Sequence, residues 1–560
     1  MERTASGNNS VGKHEQIYEA EQDIALGKLD SQEEVPVEKL HRGLKSRQIG
    51  MIALGGAIGT GLIIGTGSAL SKSGPAGTLL AYSLVGAVVY MVMCALGEMA
   101  TMLPDQRGFT GYASRFVDPA LGFATGWNYW FKYIIVVPNQ LTAGALVIQY
   151  WNRNISVAVW ISIFIVMILA INVLGVKVFG EVEFWMSTLK VVVICGLLIL
   201  CVCLAAGAGP TGQAGGFKYW KNPGAFKQYL VGGNLGYFLA VWSTTVQATF
   251  AFLGTELVGV CVGEAQNPRR NVPKAIRRTF WRILIFYIGL VFLLGLIVPY
   301  NSPDLLGANK RSNSAAASPF VVAIKLSGIK ILPDILNGCI LLFVLSAANS
   351  DLYIASRTLY NLAADGKAPA ILARTTKSGL PYVSLGVSSL FALLAYLNVS
   401  SSSQTVFKYF VQLVSVFGLL TWISILVSHI GFRRGLKAQN ISPSSLPYTA
   451  PFQPYGTYIA LFFSILITIF KGFDTMVHKF DYKNFITQYL GVPLYLMLIL
   501  GYKVATRCKR VRASEIDFVS GTRDFASEYD EYIEKQAIED AKPKVWYKVI
   551  WKYTGGALLG

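Results

Sequence analysis

Residues 49–70 read "IGMIALGGAIGTGLIIGTGSAL", one apolar run with glycine at 55, 56, 59, 61, 65 and 67. Its length suits a helix crossing roughly 30 Å of hydrocarbon. Its glycines leave two readings open. Small residues at this density let helices approach closely. Equally, Gly59-Thr60-Gly61 disfavours an unbroken helix, since each glycine costs about 1 kcal/mol relative to alanine. An unwound turn there exposes amide N–H groups at the start of a second half-helix, which suit a carboxylate. It also exposes carbonyls at the end of the first, which suit an ammonium.

The whole chain is built from runs of this length. Of 560 residues 53% are hydrophobic and 14% charged, and the apolar residues fall in blocks of about twenty. Twelve blocks can be drawn, at 47–70, 75–103, 122–149, 156–174, 183–207, 235–262, 280–300, 331–362, 382–399, 405–430, 455–473 and 485–505. They predict an all-α integral membrane protein with twelve transmembrane helices in a domain at 47–505, flanked by tails at 1–46 and 506–560. The first tail is polar and has no cleavable signal, which places it in the cytosol, and twelve spans return the second tail there. Lys and Arg agree, crowding the expected cytosolic segments "PRRNVPKAIRR" (268–278), "FRRG" (432–435) and "KVATRCKRVR" (503–512).

The net charge of +18 is mostly this orientation signal, because both tails are acidic, and it implies no nucleic-acid partner. Lys218, Lys221, Lys227, Lys310 and Arg311 are expected on the outer side, either as ordinary loop charge or as an attraction for anionic solutes. Six of the seven cysteines fall in spans and Cys508 on the cytosolic side, so no disulfide staples an outer loop. No spacing suggests a metal site.

A second interruption lies in "WSTTVQATFAFLGTELVGVCVGE" (242–264), where Phe250, Phe252, Gly254 and Glu256 cluster in mid-block. Interrupted segments in matching places of two halves point to an inverted-repeat transporter with its site near the membrane midplane. Blocks one and six match if the repeat is five helices plus five.

Five blocks carry a family resemblance, in order: "GGAIGTGL" (55–62), "LGEMATMLP" (96–104), "FAFLGTEL" (250–257), "GEAQNPRRNVPKAI" (263–276) and "SAANSDLYIASRTLYNLAADGKAP" (346–369). They resemble the signature blocks of the fungal amino-acid permeases, in the amino acid–polyamine–organocation superfamily. Residues 107–151 and "GVKVFGEVEFWMSTLKV" (175–191) are most similar to the permeases for dicarboxylic amino acids. The resemblance implies a leucine-transporter-like fold with a 5+5 inverted repeat plus two helices, helices one and six being broken. It implies proton-coupled uptake of glutamate and aspartate at the plasma membrane, with the proton as coupling ion and no cofactor. Carried over by motif, the substrate carboxylate meets the amides of Thr60 and Gly61 beside Gly59. The ammonium meets carbonyls of Ala57, Phe250 and Leu253, the Phe250 ring closing over it, with Phe252 and Gly254 in the same motif.

An ionisable group in the bilayer costs from about 3 to above 10 kcal/mol, so each needs a partner or a task. Glu256 follows the second interruption, where a buried carboxyl can carry a proton; the resemblance implies that role, and a hydrogen bond to the first span is the plainer alternative. Lys190 either stands, as the resemblance implies, where sodium-coupled relatives hold their ion, or snorkels to an interface roughly 10 Å away. Asp351 is expected to pair with Lys190 or to face a cavity. Glu98 is expected in a helix-end network.

Lys132 sits deep in the third block. Residues 132, 136 and 140 are four apart, so Lys132, Val136 and Gln140 share one helix face. In the family's basic-amino-acid branch this face touches the substrate side chain and the position of Gln140 is acidic. A cation with no nearby acid suits an anionic side chain and repels lysine or arginine. Snorkelling from about 15 Å deep is less suitable, because the stem covers only part of that depth.

Three other classes compete with this reading. A membrane enzyme needs a reactive cluster, yet His14, His41, His429 and His478 all fall away from span centres and no phosphate-binding loop is present. A nutrient sensor of the same fold binds without accumulating substrate. A broad-range or neutral amino-acid permease is the nearest alternative. The tails read as regulatory, with Lys13 and Lys28 as family-like sites for ubiquitin-ligase machinery and acid-aromatic residues 515–544 able to dock as a short helix. Sequons at Asn154 and Asn398 lie close to the membrane.

Overall fold

In the computed structural model the described residues are 59–518, apart from 106, 153, 211, 213–214, 258–267, 311–317, 400–402 and 478–479. They form helices and connecting turns, with no strand among them. Among the described residues eight helices are long and apolar enough to cross a membrane. A ninth results if Tyr482–Tyr489 and Gly491–Thr506, which meet at 44°, form one span; Val157–Val173 is apolar but shorter.

The expected gap between the first two blocks is a kink inside the Gly65–Met102 helix. Gly74 takes φ 75° and Pro75 follows it, so the ladder is broken by a residue in the left-handed region and one without an N–H. A neighbouring segment mends the break: Ala76 N donates to Ala225 O (2.9 Å) and Lys227 N to Ser73 O (3.1 Å).

The Pro119–Ile148 helix is the central one. It starts at Asp118, whose side chain accepts from Ala120 N, with Pro119 in the first turn, a favourable start on both counts. It packs along the Leu332–Ala364 and Ser403–Ala438 helices, while Gly65–Met102 runs along Gly233–Phe252. Asn128 Nδ2 ties it to Phe417 O (2.8 Å), and Trp130 Nε1 ties it to Ser388 Oγ (3.1 Å).

The Val176–Ala205 helix shows how the protein meets lipid. Glu183, Ser187, Lys190, Ile194, Leu197, Cys201 and Leu204 are buried, and their spacing of three and four places them on one stripe. Val178, Trp185, Val192 and Ile199 are exposed on the opposite stripe. Large apolar side chains left outside on a helix of this length are accounted for by contact with acyl chains.

At one end of the bundle Glu98, fully buried, accepts from His429 Nε2 (2.7 Å), Arg433 (2.5 Å) and Ala450 N (2.9 Å). This is the helix-end network expected of Glu98. His429, in contrast, is not peripheral: the Ser403–Ala438 helix continues beyond the apolar block at 430 and buries the ring inside it. Arg433, Arg434 and Lys437 ended the hydrophobic signal without ending the helix.

At that same end residues 511–518 lie across the helices. Val511 N donates to Val117 O (3.0 Å), Gln439 Nε2 to Ile516 O (2.6 Å) and Arg115 Nε to Asp517 O (2.7 Å). Phe518 packs against Phe116 and Phe432. Of the sequons, Asn398 is buried and donates to Thr142 Oγ1 (2.8 Å), whereas Asn154 is exposed. Lys13, Lys28 and residues 519–560 lie outside the described residues.

Candidate functional site

Two helix ends meet at the centre. The Thr60–Ile63 helix begins after Gly59 in extended conformation (φ −118°, ψ −165°), so its first amides have no intrahelical acceptor. The Gly233–Phe252 helix stops where Leu253 becomes extended (φ −61°, ψ 145°), and Gly254 follows at φ 92°, a conformation that favours glycine. A Cβ added to Gly61 would lie 2.5 Å from Ala251 Cα and 2.9 Å from Ala251 N. Glycine at 61 therefore lets the two backbones touch. Ala57 lies outside the described residues.

A small cavity opens at this junction. Gly59, Thr60 and Gly61 form one wall; Lys132, Tyr133, Val136 and Gln140 a second; Phe250, Ala251, Leu253 and Gly254 a third; Asp351 and Val414 complete it. The Phe250 ring packs edge-on to Phe407 (centroids 6.2 Å apart). Thr60 Oγ1 and Gln140 Oε1 are buried with no hydrogen-bond partner among the described residues. Buried polar atoms are usually satisfied, so both atoms are suited to a polar ligand.

Lys132 is buried, and its ammonium forms an ion pair and hydrogen bond with Glu256. It also lies 5.0 Å from the Tyr129 ring centroid and 4.7 Å from that of Tyr133. Glu256 accepts further from Gly254 N (3.2 Å) and Trp422 Nε1 (3.4 Å). Across the cavity Asp351 Oδ2 accepts from Gln140 Nε2 (3.3 Å). The expectation of a cation with no nearby acid is thus corrected: one carboxylate is bonded to Lys132 and another lines the same cavity. Spacing along the Pro119–Ile148 helix reports only that helix, and both acids arrive from elsewhere in the chain.

The amino acid permease family profile matches residues 48–515. The chain belongs to the amino acid permease family. A dicarboxylic amino acid permease of Saccharomyces cerevisiae is 52% identical over 507 residues, covering 90% of this chain and 83% of the relative. An uncharacterised amino-acid permease of Schizosaccharomyces pombe is 48% identical over 513 residues, covering 90% and 98%. A proline-specific permease of Saccharomyces cerevisiae is 42% identical over 494 residues, covering 86% and 79%. The protein is accordingly a multi-pass membrane protein of an amino-acid transport family, and relatives of similar likeness carry different substrate names.

Glu256 stands behind Lys132 rather than in the lining, and two further expected site residues of this permease, Phe252 and Lys190, lie away from the cavity. Phe252 is fully buried with its ring stacked on Tyr287 (centroids 4.5 Å, 17°) and near Tyr82 (6.1 Å). Two residues after Phe250 is about 200° around a helix, so the two rings cannot share a face. Lys190 is on the buried stripe of its helix, which excludes snorkelling, and it pairs with Glu183 at 3.8 Å. Glu183 accepts from Ser187 (3.2 Å) and Ser346 (2.9 Å). The sequence reading missed Glu183 because it opens an apolar block; its distance of seven residues from Lys190, two turns on one face, was the available signal. Asp351 joins the cavity as one of its two expected places. Asn349 accepts from Asn172 (2.9 Å), and Arg357 lies over the Tyr353 ring (4.3 Å).

Proposed function

We propose that this permease imports acidic amino acids, glutamate and aspartate, across the plasma membrane by proton-coupled alternating access, with both termini in the cytosol. The observation that carries the reading is a buried lysine, Lys132, in the wall of a cavity whose other walls are helix-end backbone. The backbone at Gly59, Thr60 and Gly61 receives the α-carboxylate, and carbonyls at Phe250 and Leu253 receive the ammonium. These contacts serve any amino acid. Lys132 supplies the preference by pairing with the side-chain carboxylate, Val136 and Gln140 flanking it. The 52% identical relative named for dicarboxylic amino acids supports the same substrate class.

Twelve spans in a 5+5 repeat plus two fit the helices occupying the expected blocks, and the helix start at Thr60 and helix stop at Phe252 fit broken first and sixth helices. Protons are the coupling ion in this reading, carried at Glu256 with Lys190 as a second participant; no cofactor and no enzymatic step are invoked. The tails are proposed as contacts for ubiquitin-ligase machinery.

The test is uptake of labelled glutamate, aspartate, glutamine, proline and lysine in a transport-deficient host at two pH values. The expected result is accumulation of the two acids, larger at the lower pH, and a drop of at least about tenfold in Lys132→Met, the scale of one lost charge-assisted contact. A mutant that keeps its glutamate rate and its preference for glutamate over glutamine rules out the role of Lys132. Binding without accumulation identifies a sensor. Asp351 in the cavity wall favours a second reading, a permease of broader range, which uptake of glutamine or proline at comparable rates would establish.

A further inference from the structure

Lys132 faces two ways. It lines the cavity, yet its ion-pair partner Glu256 is not part of the cavity lining. One cation therefore stands between a resident carboxylate and the space where a substrate carboxylate is proposed to bind. We infer that the two carboxylates take turns on Lys132: an acidic substrate displaces Glu256, and Glu256 takes up one proton as it is displaced. The inference rests on the substrate reading above and supplies the step that links substrate choice to the coupling ion.

The balance is simple. At the start Glu256 is ionised and bonded to the Lys132 ammonium. A side-chain carboxylate enters and pairs with the ammonium; one proton from solution adds to the Glu256 carboxylate; no other bond is made or broken. The site holds one cation and one paired anion before and after. Without the proton, Glu256 would stay ionised in a buried site after losing its ion-pair and hydrogen-bond partner, which is costly in a low-dielectric surrounding.

The geometry around Glu256 suits both states. Gly254 N (3.2 Å) and Trp422 Nε1 (3.4 Å) donate to it, and neither bond needs the carboxyl to be charged. The charged and titratable groups acting on Glu256 are Lys132 and Tyr133 from the Pro119–Ile148 helix and Arg282 and Tyr287 from the segments after residue 267. Asp351 acts on Lys132 from the Leu332–Ala364 helix. Arg282 adds positive charge near Glu256 without reaching the cavity wall, so Lys132 alone of these cations is shared with the ligand space. A neutral amino acid brings no carboxylate to exchange and takes up no proton by this route. Specificity and coupling then reside in one ammonium group.

The experiment is binding of labelled glutamate and glutamine to the purified full-length protein between pH 5 and pH 8, with Glu256→Gln alongside. For glutamate and the wild type, the dissociation constant is expected to rise as pH rises, approaching about tenfold per unit for one linked proton. Glu256→Gln is expected to bind glutamate with no such slope. A wild-type slope retained in Glu256→Gln overturns the inference, since another acid then carries the proton. Wild-type protein in weakly buffered solution gives an independent reading: glutamate binding is expected to take up about one proton per site and glutamine none. Glutamate binding with no proton uptake overturns the exchange while leaving the substrate assignment intact. Failure of the wild type to bind glutamate at any pH overturns the substrate assignment itself.

Discussion

Lys190 and Glu183 are two turns apart on one helix face, both fully buried, with Ser187 and Ser346 donating to the carboxylate. Truncating one partner of a buried pair leaves an uncompensated charge and costs roughly 3–5 kcal/mol, whereas replacing both by neutral groups is often near neutral. Lys190→Met is therefore expected to lower the thermal melting point of the detergent-solubilised protein sharply. Lys190→Met with Glu183→Gln is expected to recover most of the loss; a double variant no more stable than the single would show that the pair does not couple. At this scale the sequence was legible wherever the partners share a helix. Lys132, Val136 and Gln140 do line one wall together. The bond from Lys132 to Glu256 joins residues 124 positions apart, and no periodicity reports such a pair.

Helix ends make the cavity, and glycine makes the ends. Gly61 touches Ala251 so closely that an added methyl group meets backbone rather than a movable side chain. Gly61→Ala is expected to cost about 1–3 kcal/mol through overpacking and to reduce folded protein in the membrane, read by size-exclusion recovery. Gly65→Ala makes the control, because nothing lies within 4 Å of its added Cβ; equal loss in both would refute the packing argument. The helix start after Gly59 and the helix stop before Leu253-Gly254 fall where glycine sits in a run whose hydropathy asks for helix. The inward direction of Phe252 was not legible, since an aromatic in an apolar run carries no label for which neighbour it faces. Nor was the length of the Ser403–Ala438 helix, whose last turns are basic.

Across the whole molecule, the long apolar helices among the described residues fall on the apolar blocks, because hydrocarbon thickness fixes run length; contacts between distant helices are fixed by packing and stay hidden. One such contact joins the Gly491–Thr506 helix to the central one: Lys503 Nζ donates to Asp118 Oδ2 (2.6 Å). Burial pushes the Asp118 carboxyl up, but the Lys503 and Ala120 hydrogen bonds outweigh it and hold the carboxyl below its usual range. A lowered carboxylate stabilises the fold above its ordinary titration range and loses that contribution as pH falls through the lowered value. Asp118→Asn keeps a good helix cap and removes the charge, so it is expected to destabilise the protein by about 1 kcal/mol at pH 7, the scale of a pair whose lysine is open to solvent. The difference should shrink and vanish as pH falls through that lowered value; a difference that persists at the acid end of the titration would assign the effect to the cap rather than the charge.

The run at 511–518 sets a practical boundary for anyone shortening the polypeptide. The Gly491–Thr506 helix finishes before this run, at the natural place to cut or to attach a reporter. Ending the chain there would strip Ile516 and Phe518 from Phe116, Phe432 and the floor formed by Gly435, uncovering an oily patch where the helices meet water. A fluorescent tag is better joined after Phe518, which leaves these contacts in place.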